Sequence, residues 1–307
     1  MKLLFAGTPA TALPTLAALR AAGHDVVAVA TNPDAPTGRG RHMVASPVAA
    51  EAAALGIPLL QPKRAREPWF VDAVTALHVD VAVIVAWGCL IPDALLDVPQ
   101  HGWVNLHFSV LPAWRGAAPV QRAIMAGEPT SGVTTFRLVH DLDAGPIWRQ
   151  QVVDVGPDET AGDVLDSLAQ LGAQTMVQTL DDIAAGVAPQ PQSADGVTLA
   201  PKVTADDARI DWTGPAQAIH DQVRGTTPAP GAWTMLRGQR LKLVKTRLVT
   251  PEETLAAGEL LSTKRELLIG AGDGVIELVV VQGVGKPPMS GADWARGARP
   301  QPGERCE

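Results

Sequence analysis

Apolar residues in the first half of the chain come in short runs separated by helical patterns. Residues 2–6, Lys-Leu-Leu-Phe-Ala, form a run stopped by Gly7 and predict a buried strand. Residues 10–22 are rich in Ala and Leu and read as a helix closed by Gly23. Residues 25–31 predict a second strand. Ser46-Pro47 supplies a helix N-cap with Pro at the first helical position, and that helix runs to Gly56. Residues 80–86 and 103–107 predict two more strands. Strands alternating with helices predict an α/β class with a mostly parallel sheet covered on both faces. In such sheets ligands bind beyond the carboxyl ends of the strands.

Residues 133–139 and 147–153 read as further strands, with Asp-Leu-Asp-Ala-Gly-Pro (141–146) between them. An amphipathic helix is predicted near 160–185, with Val164, Leu168, Leu171 and Leu180 on its core face and Gly186 at its end. Prolines then break the periodicity, so the expected plan is a first domain over 1–188, a linker over 189–205 and a second domain over 206–307. The second domain carries a helix near 215–224 and short strands at 231–236, 240–249, 258–262, 266–272 and 274–282, which suggests a small β-barrel.

A length of 307 residues accommodates these two domains, and 46% apolar with 19% charged residues fits a soluble protein with a sizeable core. The formal charge of −7 argues against a uniformly basic nucleic-acid binder but leaves a local basic patch open. One such patch is visible. No acid occurs from Gln222 to Thr250, a stretch that carries Arg224, Arg237, Arg240, Lys242, Lys245 and Arg247. Small barrels present such faces to nucleic acid, mainly through phosphate contacts; a plain solvated strand surface would look the same. Trp212, Trp233 and Trp294 read as core rather than as stacking platforms. Cys89 and Cys306 have neither metal-ligand spacing nor a disulfide framework, which suits a reducing cytosol. The N-terminal run is stopped by Gly7-Thr8-Pro9 too early for a signal sequence, and no run reaches the roughly 18 apolar residues of a membrane span. The expectation is a cytoplasmic protein with no membrane association.

Candidate chemistry lies where an apolar strand runs out, at Asn105–Pro119. Asn105 and His107 are two apart and so share a face of the strand. An amide and an imidazolium are suitable donors to an oxyanion developing on a carbonyl carbon; two polar groups satisfying a sheet edge would have the same spacing. Asp141 and Asp143 are the candidate carboxylates to orient His107 and hold it protonated, although Asp143 also fits an ordinary turn. Gly7-Thr8-Pro9 reads as a ligand-facing loop but lacks the dinucleotide pattern G-x-G-x-x-G. The long connection 31–48 carries Arg39, Arg41 and His42 against the single acid Asp34, which suits a phosphate-bearing substrate and equally an ordinary surface loop.

Together these segments resemble the methionyl-tRNA formyltransferases, within the 10-formyltetrahydrofolate-dependent formyltransferases. The resemblance is carried by "LLFAGTP", "TNPDAPTGRGRHMVASPV", "NLHFSVLPAWRGAAPVQRAI", "DLDAGPI", "ARIDW" and "VGKPPMSGADWARG" and covers nearly the whole chain. It implies a Rossmann-like formyltransferase domain followed by an OB-like barrel, with formyl transfer to the amine of methionyl initiator tRNA. It implies that Asn105, His107 and Asp143 are the catalytic trio and that Ser109, Val110, Leu111 and Pro112 hold the folate. It also implies that Arg39 reaches the acceptor end of the tRNA, in a loop shared with Arg41. The basic run Arg237, Arg240, Lys242, Lys245 and Arg247 would then face tRNA. The donor is 10-formyltetrahydrofolate, no metal is implied, and a monomer is expected. Formyltransferases of amino-sugar nucleotides would share the trio; the Gly-Arg-Gly-Arg loop and the basic second domain favour tRNA. Two positions depart from the family pattern: Phe108 stands where Gly is common, and Asp141 replaces a Gly two residues before Asp143.

Overall fold

A computed structural model describes residues 1–37, 42–250 and 254–307. The first run is strand β1 (Lys2–Gly7), followed by helix α1 (Leu13–Ala21) and strand β2 (Asp25–Ala30). Strands β3 (Ala35–Thr37) and β4 (His42–Val44) pair antiparallel on either side of residues 38–41. Helix α2 (Pro47–Ala54) begins where predicted, with the Ser46 side chain accepting from the Ala49 N–H. Strand β5 (Leu59–Leu60), helix α3 (Pro68–Leu77), strand β6 (Val81–Val85), helix α4 (Asp93–Leu96) and strand β7 (Trp103–His107) follow. Helix α5 (Pro119–Met125), strands β8 (Thr130–Arg137) and β9 (Ile147–Asp154) and the long helix α6 (Ala161–Ala184) complete this part of the chain.

The seven strands of the larger sheet run in the order β5-β2-β1-β6-β7-β8-β9. The pairs β5·β2, β2·β1, β1·β6 and β6·β7 are parallel, and β7·β8 is antiparallel. Strand β6 is buried at every position, because a parallel sheet with both faces covered has no solvent side to alternate toward. One face packs Leu4, Phe70, Val74, Trp87 and Trp103 into a single apolar cluster. Burying each such side chain contributes about 1.5–3 kcal/mol. Helix α6 lies close on β7: a Cβ added to Gly172 would stand 2.6 Å from a Leu106 methyl. A side chain there would push the helix off the strand that carries Asn105 and His107.

Contacts divide the chain into two units that are not contiguous in sequence. The first comprises Met1–Ala117, Ser131–Val153 and Leu165–Leu199; the second comprises Ala118–Thr130, Asp154–Val164 and Ala200–Glu307. The stretch expected to be a linker, 189–205, is shared between them. Gln190 exchanges two 2.7 Å backbone hydrogen bonds with Ile147, and Arg115 N–H donates to the Thr198 carbonyl at 2.9 Å. Its prolines exclude a helix, and extended pairing at Gln190, Thr198 and Ala200 ties it down instead.

In the second unit, helix α7 (Ala216–Thr226) is followed by strands β10 (Ala232–Leu236), β11 (Gln239–Val249), β12 (Leu260–Ser262), β13 (Leu267–Gly270), β14 (Val275–Gly283) and β15 (Met289–Ser290), then helix α8 (Gly291–Ala298). The expected barrel strands form a six-stranded antiparallel sheet in the order β10-β11-β14-β13-β12, with β15 on β14. The register of β11 against β14 shifts between Leu243 and Thr246. This bulge changes the strand's phase, so that Leu241, Leu243 and Thr246 are buried while Lys242, Lys245 and Arg247 are exposed. Arg224 is not on that face. It is buried in α7, paired with Asp221 at 2.7 Å and donating to the carbonyls of Gly156 and Glu159.

Candidate active site

Three parallel strands end together at one edge of the first unit. Beyond β1, the Thr8 hydroxyl donates to the Trp87 carbonyl beyond β6 at 3.4 Å and accepts from the Asn32 N–H beyond β2 at 3.4 Å. The predicted Gly7-Thr8-Pro9 loop therefore joins strand ends. At the end of the neighbouring strand β7, His107 is buried and Asn105 half-buried. The Asn105 carboxamide makes no hydrogen bond to the described residues. Its donors and acceptor are thus unspent at the strand end.

The His107 ring is enclosed by two loops. Nε2 is 2.9 Å from the Trp114 carbonyl oxygen and so carries the proton. Nδ1 is 3.8 Å from Asp143 Oδ2. Of the two candidate carboxylates, Asp143 is the one that lies against the ring: it is buried, whereas Asp141 is exposed. Asp143 Oδ2 also accepts from the Gly116 N–H at 2.8 Å. Burial pushes the His107 pKa below its ordinary 6.5, against the Asp143 charge and the Trp114 carbonyl, which both raise it. The resting imidazole is thus held toward its neutral form, not the protonated one expected from the sequence. Desolvation of an almost wholly buried ring outweighs a carboxylate that is not in hydrogen-bond contact.

The Asp143 loop is closely fitted. Asp143 has a φ of 49°, in the left-handed region. A Cβ on Gly145 would lie 1.7 Å from the Arg137 carbonyl oxygen, so glycine alone fits there. Phe108, the unusual residue beside His107, is buried.

The turn Ser109–Pro112 is shaped by partners on β8 and β9. Thr134 Oγ1 donates to the Ser109 carbonyl at 2.7 Å and accepts from the Leu111 N–H at 3.1 Å. Gln150 Nε2 donates to the Leu111 carbonyl at 2.6 Å. Ser109 Oγ is turned inward to the Ala113 carbonyl at 2.7 Å, Leu111 is buried, and Val110 and Pro112 are half-buried. Thr134 and Gln150 were not found from the sequence; their only signal was an alternating strand, and the register of β8 brings Thr134 opposite His107.

Arg39 and Arg41 lie outside the described residues. On the second unit, Arg240, Lys242 and Lys245 are exposed, and the Arg240 guanidinium stacks 3.8 Å from the Trp233 ring centroid. Trp233 is therefore both a buried residue and a stacking partner. Arg237 is engaged instead: it pairs with Glu304 at 2.5 Å and donates to the carbonyls of Ala298 and Arg299. Arg247 pairs with Glu277. Both acids lie outside the acid-free window, and the fold brings them to it.

Residues 1–180 match the formyl transferase family, and residues 202–299 match the formyl transferase C-terminal domain. The chain is 52% identical over 307 residues to methionyl-tRNA formyltransferase of Streptomyces coelicolor, with 99% of each chain covered. It is 50% identical over 306 residues to methionyl-tRNA formyltransferase of Thermobifida fusca, again with 99% of each covered. Among solved structures, the fold is similar to HypX from Aquifex aeolicus in complex with tetrahydrofolic acid, with a TM-score of 0.69 at 18% identity. That match covers 96% of this chain and 47% of HypX, so the chain spans about half of HypX's length. It is also similar in fold to methionyl-tRNA formyltransferase from Clostridium thermocellum, with a TM-score of 0.59 at 14% identity over 81% of this chain and 94% of that one. With family matches in both halves and about half of its residues identical to those of relatives covered almost end to end, this chain belongs to the formyl transferase family.

Proposed function

We propose that the protein transfers the formyl group of 10-formyltetrahydrofolate to the α-amine of methionyl initiator tRNA, with Asn105, His107 and Asp143 as its reacting centre. The site role rests on one observation above others: the Asn105 amide is unengaged beside a buried His107. The tRNA substrate rests on the likeness, over almost the whole chain, to relatives bearing that name.

The amine attacks the formyl carbon, a tetrahedral oxyanion forms, and the bond from that carbon to N10 of the folate breaks. Asn105 donates to the oxyanion. The proton lost by the amine ends on N10, carried by the His107 imidazole either directly or through water. His107 starts neutral, and the Asp143 carboxylate stabilises the charge it takes up transiently. The turn Ser109–Pro112 holds the folate, and Arg39, Arg41 and the exposed face of β11 meet the tRNA. By function, catalysis belongs to 1–188 and tRNA binding to 206–307, with 189–205 joining the two in sequence while Gln192 braces the catalytic loops. The protein works as a monomer in the cytoplasm, away from membranes.

Formylation of charged initiator methionyl-tRNA with 10-formyltetrahydrofolate tests this. Wild type is expected to be active, and Asn105→Ala to lose about 100-fold or more in turnover. A folded wild type that formylates an amino-sugar nucleotide and not the tRNA would overturn the substrate. A near wild-type rate for Asn105→Ala would overturn the role of the amide.

A further inference from the structure

Gln192 lies in the stretch that the sequence presents as a linker, yet both ends of its side chain reach the catalytic loops. Its Nε2 donates to the backbone carbonyls of Asp143 and Gly145, each at 2.8 Å. Its Oε1 accepts from Arg115 Nη2 at 2.6 Å. Arg115 precedes Gly116, whose N–H donates to the Asp143 carboxylate at 2.8 Å. The chain of bonds therefore closes on itself, from Gln192 to Arg115, through Gly116 to Asp143, and back to Gln192. The main chain carrying Gln192 is tied to the same loop, because Thr198 accepts from the Trp114 N–H through its hydroxyl at 2.8 Å and from the Arg115 N–H through its carbonyl at 2.9 Å.

The two groups that flank the His107 ring, the Trp114 carbonyl and the Asp143 carboxylate, both belong to this circuit. Neither segment holds itself. Asp143 and Trp114 have φ values of 49° and 63°, a region that non-glycine residues occupy only when their surroundings dictate it. The chemistry of the tie also selects an amide. A carboxylate at position 192 would repel the two carbonyl oxygens, and an ammonium would repel Arg115, for which no carboxylate partner exists among the described residues. The Arg115 Nε is buried without a partner, so its guanidinium depends on few contacts.

We propose that Gln192 is a positioning residue for formyl transfer: it fixes the Asp143 and Trp114–Gly116 loops at their distances from His107 without touching substrate. The reading of the reaction given above underlies this assignment, but the geometry it concerns can be measured without turnover. Two variants of the full chain separate the ends of the amide. Gln192→Met removes both, and Gln192→Glu keeps the acceptor for Arg115 while losing the donor. Each is assayed for kcat and for KM toward both substrates, with the His107 imidazole titrated by NMR and folding checked by thermal melting. Both variants are expected to lose about 10- to 100-fold in kcat, as displacement of a catalytic group by about an ångström does, with KM changed less than about threefold. Glu is expected to be no better than Met, and the His107 titration is expected to move in both. A folded Gln192→Met with wild-type kcat and an unmoved His107 titration would overturn the proposal, as would full rescue by Glu. If wild type fails to formylate the tRNA, the functional reading fails alone, and the His107 titration still decides the role of Gln192.

Discussion

His107 Nδ1 and Asp143 Oδ2 stand 3.8 Å apart, while His107 Nε2 and the Trp114 carbonyl are 2.9 Å apart. The carboxylate thus acts on the ring through charge, and the carbonyl fixes which nitrogen bears the proton. Burial still wins, and the His107 pKa lies below 6.5. An NMR titration should therefore place the His107 midpoint below 6.5. Asp143→Asn removes the principal opposing charge, so its His107 should titrate lower still. Folding favours the neutral ring, so the contribution of His107 to stability declines as pH falls below the unfolded value of 6.5. A titration in Asp143→Asn that moves upward would show that the carboxylate does not act on the ring by charge.

The candidate residues on one strand and turn could be named together because they are consecutive in the chain. Asn105 and His107 sit two apart on β7, and the turn Ser109–Pro112 follows directly. Helix α3 was not read from the sequence, although Pro68 begins it and Phe70 and Val74 bury an i, i+4 pair. The network around His107 was not legible, because its members come from distant positions. Gln192 reaches Asp143 from a stretch whose prolines look like a linker, and Thr134 reaches the turn through the register of β8. Charge counting failed for a similar reason. Arg237 and Arg247 look free in an acid-free window until Glu304 and Glu277 arrive from elsewhere in the fold.

That pairing divides the basic strand into two classes of residue. Lys242 and Lys245 are exposed and make no close ion pair among the described residues, although the Lys245 charge acts on the Asp163 carboxylate, whereas Arg237 braces Glu304 and the end of α8. Lys242→Glu with Lys245→Glu should weaken tRNA binding and reduce the slope of log K against log salt by roughly 0.7–0.9 for each phosphate that is no longer neutralised. The binding of formyl-folate should hardly change. Arg237→Glu should instead lower the melting temperature. Filter binding over a salt series distinguishes the two; an unchanged slope in the double lysine variant would make that strand face a solvated surface only.

In the second unit, Asp207 links a turn to helix α5. Its carboxylate accepts from the Thr204 N–H at 2.8 Å and the Thr204 hydroxyl at 2.7 Å, and from Arg122 at 3.2 and 3.1 Å. Arg122 also donates to the carbonyls of Pro201 and Lys202, so the carboxylate completes a clamp on residues 201–207. These donors, the Thr204 backbone foremost, hold the Asp207 pKa down to about 2 from its ordinary 3.8. Folding therefore favours the ionised form. The contribution is complete above the unfolded value of 3.8 and is lost as pH falls through about 2. With 29% of the side chain exposed, solvent screening keeps it to about 1 kcal/mol. Asp207→Asn should consequently lower the urea midpoint at pH 7 and at pH 5, and the gap to wild type should narrow at pH 3 and close near pH 2. A gap of constant size across that series would mean that the loss comes from altered hydrogen-bond geometry at the clamp and not from the carboxylate's charge.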